Sequence, residues 1–298
     1  MKIISKLKNY LSYFWGIILG WFIICTSKLY IKSFMFFRSK DLFKGLKKTG
    51  AFPALIKGPF LSKNEKLVNL SKTNKKQTLD VNARKVIYTC VTGGYDKVSP
   101  LFFKPLDCDF LLFTDDPEMM VDGWTTIEIP NPYNLSSIQL ARMLKILPHR
   151  FLKDYDYSIW LDASYDIIGD ISELFFYLND NAFALFEHFE KMKTINDEAK
   201  AIINSSKADP NEIINQVQSY YNKGYIDNGK ILETGIIIRK HYDLLLMETM
   251  EMWWNEIKNH THRDQISLPY VLWLTGLNPQ IIHGNNRKSN LFVRRLHL

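Results

Sequence analysis

Short apolar runs rich in β-branched residues alternate along this chain with longer segments of helical periodicity, and this alternation constrains the fold more than any other feature. The first run, KVIYTCV at 85–91, stops at the glycine pair of TGGYD. The later runs are DFLLFTDD, WTTIEIP, YSIWLD, AFALFEH, ILETGIIIRK and PQIIH. Strands that alternate with helices are typical of α/β domains. We therefore predict a mixed, mostly parallel sheet flanked by helices, within a domain that covers residues 82–298.

Helical periodicity runs through four segments of this domain, which are 137–152, 194–223 with a break at Pro210, 242–260 and 263–274. Arg142 and Lys145 are three residues apart, so the first helix presents both cations on one face. Trp253 and Trp254 are neighbours in the third helix, and they are not expected to face inward together. We expect packing roles for them and leave open that one shapes a sugar or lipid site.

Acidic residues surround the predicted strand YSIWLD. Open α/β sheets bind their ligands beyond the carboxyl ends of such strands. Asp162 is the last residue of this run, and Ser164 offers a hydroxyl two residues later. Such oxygen ligands suit a Mn²⁺ or Mg²⁺ ion that is also bound by phosphates. Asp166 is a reserve ligand. Asp170 is expected to cap the next helix, and Asp156 to lie in a surface turn. Because an aspartate in a turn often caps a helix, capping also stays open for Asp162.

Other polar residues lie at predicted strand ends or inside strands. The glycines of TGGYD allow close backbone approach to a ligand, but the segment is neither a dinucleotide fingerprint nor a Walker loop and is also compatible with an ordinary turn. Glu233 lies in an apolar strand, where a charge is costly unless it is paired or used. The segment RDQ at 263–265 opens a helix, where an acid complements the dipole. His188 and His283 end strands, with structural roles as the alternative.

The N-terminal 60 residues carry eleven lysine and arginine residues and one acid, a net charge of +10 in a chain whose total is +7. The remaining residues therefore sum to −3, which argues against a nucleic-acid-binding domain. Residues 10–27 contain no charged residue and approach the length that spans a bilayer, with Tyr10 and Trp21 among the aromatic residues suited to the interface. A short spanning anchor, an interfacial helix and a helix packed on the domain all remain open.

Three segments follow from this distribution: a membrane-associated segment at 1–40, a basic connector at 41–81 and the main domain at 82–298. A mild excess of positive charge places the main domain on the cytoplasmic face of a bacterial inner membrane, with a Golgi-lumenal anchor as the alternative. The three cysteines show no disulfide framework and no zinc motif.

The segments YTCVTGGYD, DFLLFTDD, LARMLKILPH, YSIWLDAS, FEHF, LETGIIIRKH, WWNEI and RDQISLPYV occur in this order. Their arrangement resembles the mucilage-related glycosyltransferase-like family of plants and bacteria, which is similar in turn to the glycogenin-like transferases of the GT-A fold. The resemblance covers roughly residues 84–275. It implies a GT-A-like, Rossmann-like domain and a hexosyltransferase-like enzyme that uses a nucleotide-sugar donor.

The resemblance also implies site residues in three groups. The residues it places at the nucleotide sugar are Thr92, Gly93, Gly94, Tyr95, Asp115, Arg142, Lys145, Arg263 and Lys288. The implied ligands of Mn or Mg are Asp162, Ser164, Asp166 and His283, and the implied catalytic residues are Asp264, Glu233 and Gln265. The sequence departs from the family pattern at Ser164, where a second acid is expected, and the spacing from His283 to Lys288 is shorter than in the glycogenin-like element.

Three functions are compatible with these features. A membrane-attached glycosyltransferase would pass a sugar to a cell-surface polysaccharide or glycolipid. A membrane-associated, metal-dependent hydrolase of a lipid or sugar conjugate would use the same acids to activate water. A non-catalytic binding module fits less well, because many charged residues lie at strand ends.

Overall fold

The computed structural model describes residue 80 and residues 82–295, except 132, 179 and 191. The strands are β1 Lys85–Val91, β2 Asp109–Thr114, β3 Thr125–Glu128, β4 Tyr157–Leu161, β5 Tyr165–Ile167, β6 Phe183–Glu187, β7 Leu232–Lys240, β8 Gln280–Ile282 and β9 Phe292–Arg294. The helices are α1 Ser137–Ile146, α2 Pro148–Phe151, α3 Ile195–Asn204, α4 Pro210–Asn222, α5 Leu244–Asn259 and α6 Asp264–Thr275, with a 3₁₀ helix at Ile171–Tyr177. The predicted α/β class is confirmed.

Seven strands form one sheet in the order β3-β2-β1-β4-β7-β6-β8. The pairs of β1 with β2 and β4, of β2 with β3, and of β6 with β8 are parallel, whereas β7 is antiparallel to both β4 and β6. The amino end of β7 therefore lies at the same sheet edge as the carboxyl ends of the other strands. This edge brings Glu233, the second residue of β7, near residues that follow β4 and β6, although Glu233 lies at the amino end of its strand.

Apolar side chains cover both faces of this sheet. One face packs against the helices, with Tyr88 and Trp160 of the sheet and Trp253 of α5 among the buried residues. The other face packs against the 3₁₀ helix and β9, with Ile159 and Phe292 among its buried residues. Strands that are buried on both faces have continuous apolar sequences, which explains why these strands could be predicted from the sequence.

Two details of the predicted helices are corrected. The segment 137–152 is not one helix, because Pro148 lacks the amide hydrogen that would continue α1; α1 ends at Ile146 and α2 begins at Pro148. Trp253 and Trp254 are both buried, in a helix α5 that packs against both α1 and α6. The predicted cap is confirmed, as the Asp170 carboxylate accepts a hydrogen bond from the Ser172 amide at 3.1 Å.

A separate two-stranded antiparallel sheet joins β5 to β9, a feature that the sequence did not predict. In the described part of the chain, no helix is both long and apolar enough to cross a bilayer. The predicted membrane-associated segment at 1–40 and, apart from residue 80, the predicted connector at 41–81 lie outside the described residues.

Candidate functional site

The glycine turn after β1 is held by its neighbours at the sheet edge. Gly93 and Gly94 have φ angles of +61° and +63°, and the Gly93 amide donates to both carboxylate oxygens of Asp115 at 3.0 and 2.9 Å. The Thr92 hydroxyl donates to the Ser137 carbonyl at 2.7 Å. A β-carbon on Gly93 would lie 2.9 Å from the Ser137 hydroxyl oxygen. The turn is therefore fixed between the end of β2 and the start of α1.

Helix α1 is fixed at both ends. Ser136 and Gln139 form a capping box at its start, which satisfies amides that have no partner within the helix. At its end, the buried Arg239 guanidinium donates to the Lys145 carbonyl at 2.7 Å and the Tyr88 hydroxyl lies 3.4 Å from the same oxygen. A cation at the carboxyl end of a helix also complements the dipole. These contacts fix the backbone of α1 at Lys145.

Lys145 bridges two carboxylates that come from separate parts of the chain. Its ammonium lies 3.1 Å from Asp162 Oδ1 and 2.7 Å from Asp264 Oδ2, and its side chain is 1% exposed. Trp160 Nε1 donates to Asp162 Oδ1 at 2.8 Å, and the Thr234 hydroxyl donates to Asp264 Oδ2 at 3.1 Å. Lys145 therefore organises the two acids and does not itself face solvent.

Asp264 begins α6, and the pKa of its carboxyl group is strongly shifted. Burial alone would raise its pKa, but the charges of Arg142 and Lys145, with a further contribution from Arg263, outweigh burial and hold the pKa far below its usual range. Arg142 Nη1 lies 3.8 Å from Asp264 Oδ2. A carboxylate held ionised in this way is a weak proton acceptor. The arrangement therefore suits Asp264 to stabilising positive charge better than to abstracting a proton.

The start of β7 approaches Asp162 closely. The Asp162 amide donates to the Gly235 carbonyl at 2.9 Å, and the register between β6 and β7 shifts at Leu185 and Phe186, so that Thr234 and Gly235 leave the ladder with β6. Bulges of this kind redirect side chains beside active sites. A β-carbon on Gly235 would lie 3.3 Å from Asp162 Oδ2, the oxygen that Lys145 does not hold.

The predicted metal ligands fall into two pairs. Asp162 Oδ2 makes no hydrogen bond to another described residue, and the buried Ser164 hydroxyl has no hydrogen-bond partner among them either. In contrast, Asp166 pairs with Arg295 at 3.0 Å, and the exposed His283 contacts Glu187 at 3.1 Å.

Among the described residues, no three His, Cys, Asp or Glu side chains converge as a cation site. The oxygens of Asp162 and Ser164 nonetheless fit a hard divalent cation that takes its remaining ligands from phosphates and water.

The remaining predicted residues are spread around the edge. Tyr95 is exposed beyond the glycine turn, Arg263 precedes α6, and Gln265 is half-buried in its first turn. The Lys288 backbone bridges Val293 ahead of β9. The assignment of each of these residues to the substrate stays a prediction.

Arg294, the last residue of β9, and Arg295, which follows it, lie beside the site and were missed in the sequence. The Arg295 amide and Nη2 donate to the Ser164 and Ala163 carbonyls, each at 2.7 Å, and so fix the loop after Asp162. Arg294 pairs in register with Tyr165, and its guanidinium carbon lies 5.9 Å from the centre of that ring. Burial alone would lower the pKa of Arg294, but Tyr165 and the nearby carboxylates, Asp162 among them, raise it. The arginine pair near the C-terminus was the available signal.

A second cluster of buried titratable residues lies beside this edge. His188 Nε2 is 3.5 Å from Glu198 Oε2 and 3.7 Å from Glu233 Oε1, and all three side chains are buried. The Glu190 amide donates to His188 Nδ1 at 3.2 Å, which leaves Nε2 to carry a proton toward the two acids. Burial alone would lower the pKa of His188, but Glu198, Glu233 and Glu190 together raise it. Glu233 is therefore paired rather than isolated.

The raised pKa of His188 predicts a stability that depends on pH. Protonated His188 stabilises the folded chain fully below the unfolded-state pKa of about 6.5, and this contribution is lost as pH rises through the higher folded-state value. We expect the free energy of unfolding of wild type relative to His188→Gln to fall as pH increases above about 6.5. Denaturant unfolding of both proteins across this range measures the difference. A difference that stays constant with pH would rule out the protonated bridge.

Comparison with known proteins places the chain among glycosyltransferase-like sequences. Residues 111–294 match the family model described as the TOD1/MUCI70 glycosyltransferase-like domain. A curated relative, "Probable hexosyltransferase MUCI70" of Arabidopsis thaliana, is 28% identical over 168 residues. That alignment covers 52% of this chain and 28% of the relative, so the chain spans less than a third of that protein's length. The family match begins within β2 and includes β9, and so extends further toward the C-terminus than the resemblance at 84–275.

Proposed function

The chain belongs to the TOD1/MUCI70 glycosyltransferase-like family, and from this premise we propose that it transfers a hexosyl group from a nucleotide-sugar donor to a glycan or glycolipid acceptor. The observation that carries the proposal is the buried Lys145 bridge between Asp162 and Asp264. It lies at the sheet edge where open α/β sheets bind their ligands. The mixed sheet, with Asp162 directly after a central strand, is compatible with the GT-A-like fold that the resemblance implies.

Departure of a nucleoside diphosphate requires positive charge around the phosphate oxygens. Besides the buried Lys145, the described cations near the two acids include Arg142 on α1, beside Asp264, and Arg294 on β9, whose pKa is raised in part by Asp162. A divalent ion, Mn²⁺ or Mg²⁺, held by Asp162 and Ser164 would add to this charge and bind the donor phosphates. The glycine turn after β1, fixed by Asp115, offers backbone groups for the nucleotide.

We assign Asp264 and Glu233 to the part of the site that binds the sugar. Asp264, held ionised by its cations, would stabilise the positive charge that develops on the sugar ring as the leaving group departs. Glu233, oriented by His188, would bind hydroxyl groups of the sugar or acceptor. Gln265, in the first turn of α6, would contribute to the same part of the site. Both stereochemical outcomes remain compatible with these positions.

A thermal-unfolding screen of nucleoside diphosphates tests the proposal. A ligand that binds only the folded state raises the unfolding temperature, so we expect UDP or GDP to stabilise the full chain and Mn²⁺ to increase the effect. If no nucleotide stabilises the chain and the chain cleaves lipid or sugar conjugates in the presence of a metal ion, the result favours a metal-dependent hydrolase. If it neither binds nucleotide nor cleaves conjugates, a binding module is favoured.

We also propose that the chain acts at a membrane, on the cytoplasmic face of a bacterial inner membrane, in polysaccharide or glycolipid synthesis. The uncharged stretch at 10–27 and its flanking lysines support this location, with the Golgi lumen as the alternative. Extraction of membranes that contain the full chain with alkaline carbonate tests it. Retention in the pellet supports an embedded segment, and complete release would contradict one.

A further inference from the structure

A short hairpin near the C-terminus places two arginines directly opposite each other. Arg287 and Arg294 flank the backbone bridge between Lys288 and Val293, and the Arg294 amide donates to the Arg287 carbonyl at 2.6 Å. Residues directly opposite in an antiparallel pair project from the same face of the ribbon, with Cβ atoms about 5 Å apart. The Arg287 and Arg294 side chains therefore leave one face together, whereas the Lys288 side chain leaves the other face.

The face that carries both arginines is turned toward the candidate site. Tyr165 on β5 lies directly opposite Arg294, so its ring shares this face, and it packs against Gly235 at the start of β7. The Arg287 guanidinium carbon lies 3.4 Å from the centre of the Phe189 ring, in the segment that follows β6. Arg287 and Arg294 are each partly exposed, so this face opens to solvent at the arginine pair.

The two positive charges of this pair are not matched by acids of their own. Like charges directly opposite each other destabilise an antiparallel pair. Among the described residues, neither guanidinium group forms an ion pair with a carboxylate. Asp162 and Glu233 lie near Arg294, but Lys145 holds the first of them and His188 contacts the second. An anion bound between the two guanidinium groups would remove their repulsion.

We propose that Arg287 and Arg294 together bind the diphosphate of the nucleotide-sugar donor, and that Arg287, rather than the Lys288 expected from the sequence, is the phosphate-contacting cation after β8. The inference rests on the proposed function, since it names residues that hold the leaving group of the donor. A guanidinium group donates paired hydrogen bonds to phosphate oxygens, so two such groups on one face suit a ligand with two adjacent phosphates. The stack on Phe189 also limits the orientations of Arg287 before the ligand binds.

Calorimetric titration of the full chain with pyrophosphate, UDP and GDP, in the presence of Mg²⁺, tests the proposal. Arg287→Gln is expected to weaken the binding of pyrophosphate, and of whichever nucleotide the wild type binds, about tenfold or more, because a charge-assisted hydrogen bond to phosphate is lost. Arg287→Lys keeps the charge without the paired donors, so its affinity should lie between those of wild type and Arg287→Gln. The unfolding midpoint of both variants without ligand should stay close to that of wild type.

Arg84→Gln is the matched control for Arg287→Gln. Arg84 is also an arginine beside an aromatic ring, with its guanidinium carbon 5.0 Å from the centre of the Tyr155 ring. It is exposed and precedes β1, at the sheet edge opposite the candidate site. Arg84→Gln should therefore bind pyrophosphate and the nucleotide as wild type does.

Wild-type affinity for these ligands in Arg287→Gln would overturn the proposal, and so would a wild-type chain that binds none of them. A loss of affinity that Arg287→Lys shares in full, together with a lowered unfolding midpoint, would give Arg287 a structural role instead and would also overturn it. If Arg287→Gln weakens binding as expected but the wild-type chain transfers no sugar, the diphosphate site stands and the proposed function is contradicted.

Discussion

Asp162→Asn is expected to lower the rate of glycosyl transfer about 100-fold or more while leaving the fold intact. Asparagine keeps an oxygen that accepts hydrogen bonds from Trp160 and Lys145, and Lys145 remains paired with Asp264. What the variant loses is the negative charge at Oδ2, which we propose holds the divalent ion that binds the donor phosphates. The rate of nucleoside diphosphate release with donor and acceptor present measures the effect.

Asp156→Asn is the matched control for this substitution. Asp156 precedes the same strand and accepts a hydrogen bond from the Arg84 amide at 2.8 Å, which asparagine can also accept. The control should keep wild-type activity and stability. Unchanged transfer by Asp162→Asn, with Mn²⁺ or Mg²⁺ supplied, would remove Asp162 from the catalytic account.

Lys145→Met is expected to lower both stability and activity. The methionine fills similar space but leaves Asp264 buried without its closest cation and removes the bridge to Asp162. Breaking a buried ion pair by removing one partner costs about 3–5 kcal/mol in free energy of unfolding. Denaturant unfolding measures this loss. Lys153→Met is the matched control, because Lys153 also precedes β4 but is exposed, and it should change the free energy of unfolding by no more than about 0.5 kcal/mol.

The double variant Lys145→Met with Asp264→Asn tests the origin of that cost. Because the neutral amide no longer leaves a buried charge unpaired, the double variant should be more stable than Lys145→Met alone, yet still inactive. If the two substitutions add with no coupling in the free energy of unfolding, then Lys145 stabilises the chain through packing and not through its bridge.

Most of the sheet could be predicted because its strands are buried on both faces. The run KVIYTCV corresponds residue for residue to β1, and the apolar runs before Asp162 and around Glu233 also became strands. The antiparallel direction of β7 could not be predicted from the sequence, because an apolar run does not indicate which way its strand points in the sheet. The three-residue strands β5 and β9 are too short to show periodicity, so the ribbon that carries Arg294 escaped detection.

The site was predicted in part. The spacing of Arg142 and Lys145 placed both cations on one helix face, and both lie beside Asp264. The enclosure of Lys145 between two acids depends on the crossing of α1, β4 and α6, which local sequence does not encode. The pairing of His188 with Glu198 similarly depends on how α3 packs at the end of β6. These contacts are long-range, so only the folded chain reveals them.

Transfer of labelled hexose from a panel of nucleotide sugars into a membrane or polysaccharide fraction tests the central claim most directly. Wild-type chain should incorporate label from at least one donor with release of the nucleoside diphosphate, and Asp162→Asn should not. Equal incorporation by the two proteins would contradict the role of Asp162 at the Lys145 bridge. Absence of donor consumption by wild type under every donor and metal condition would contradict glycosyl transfer itself.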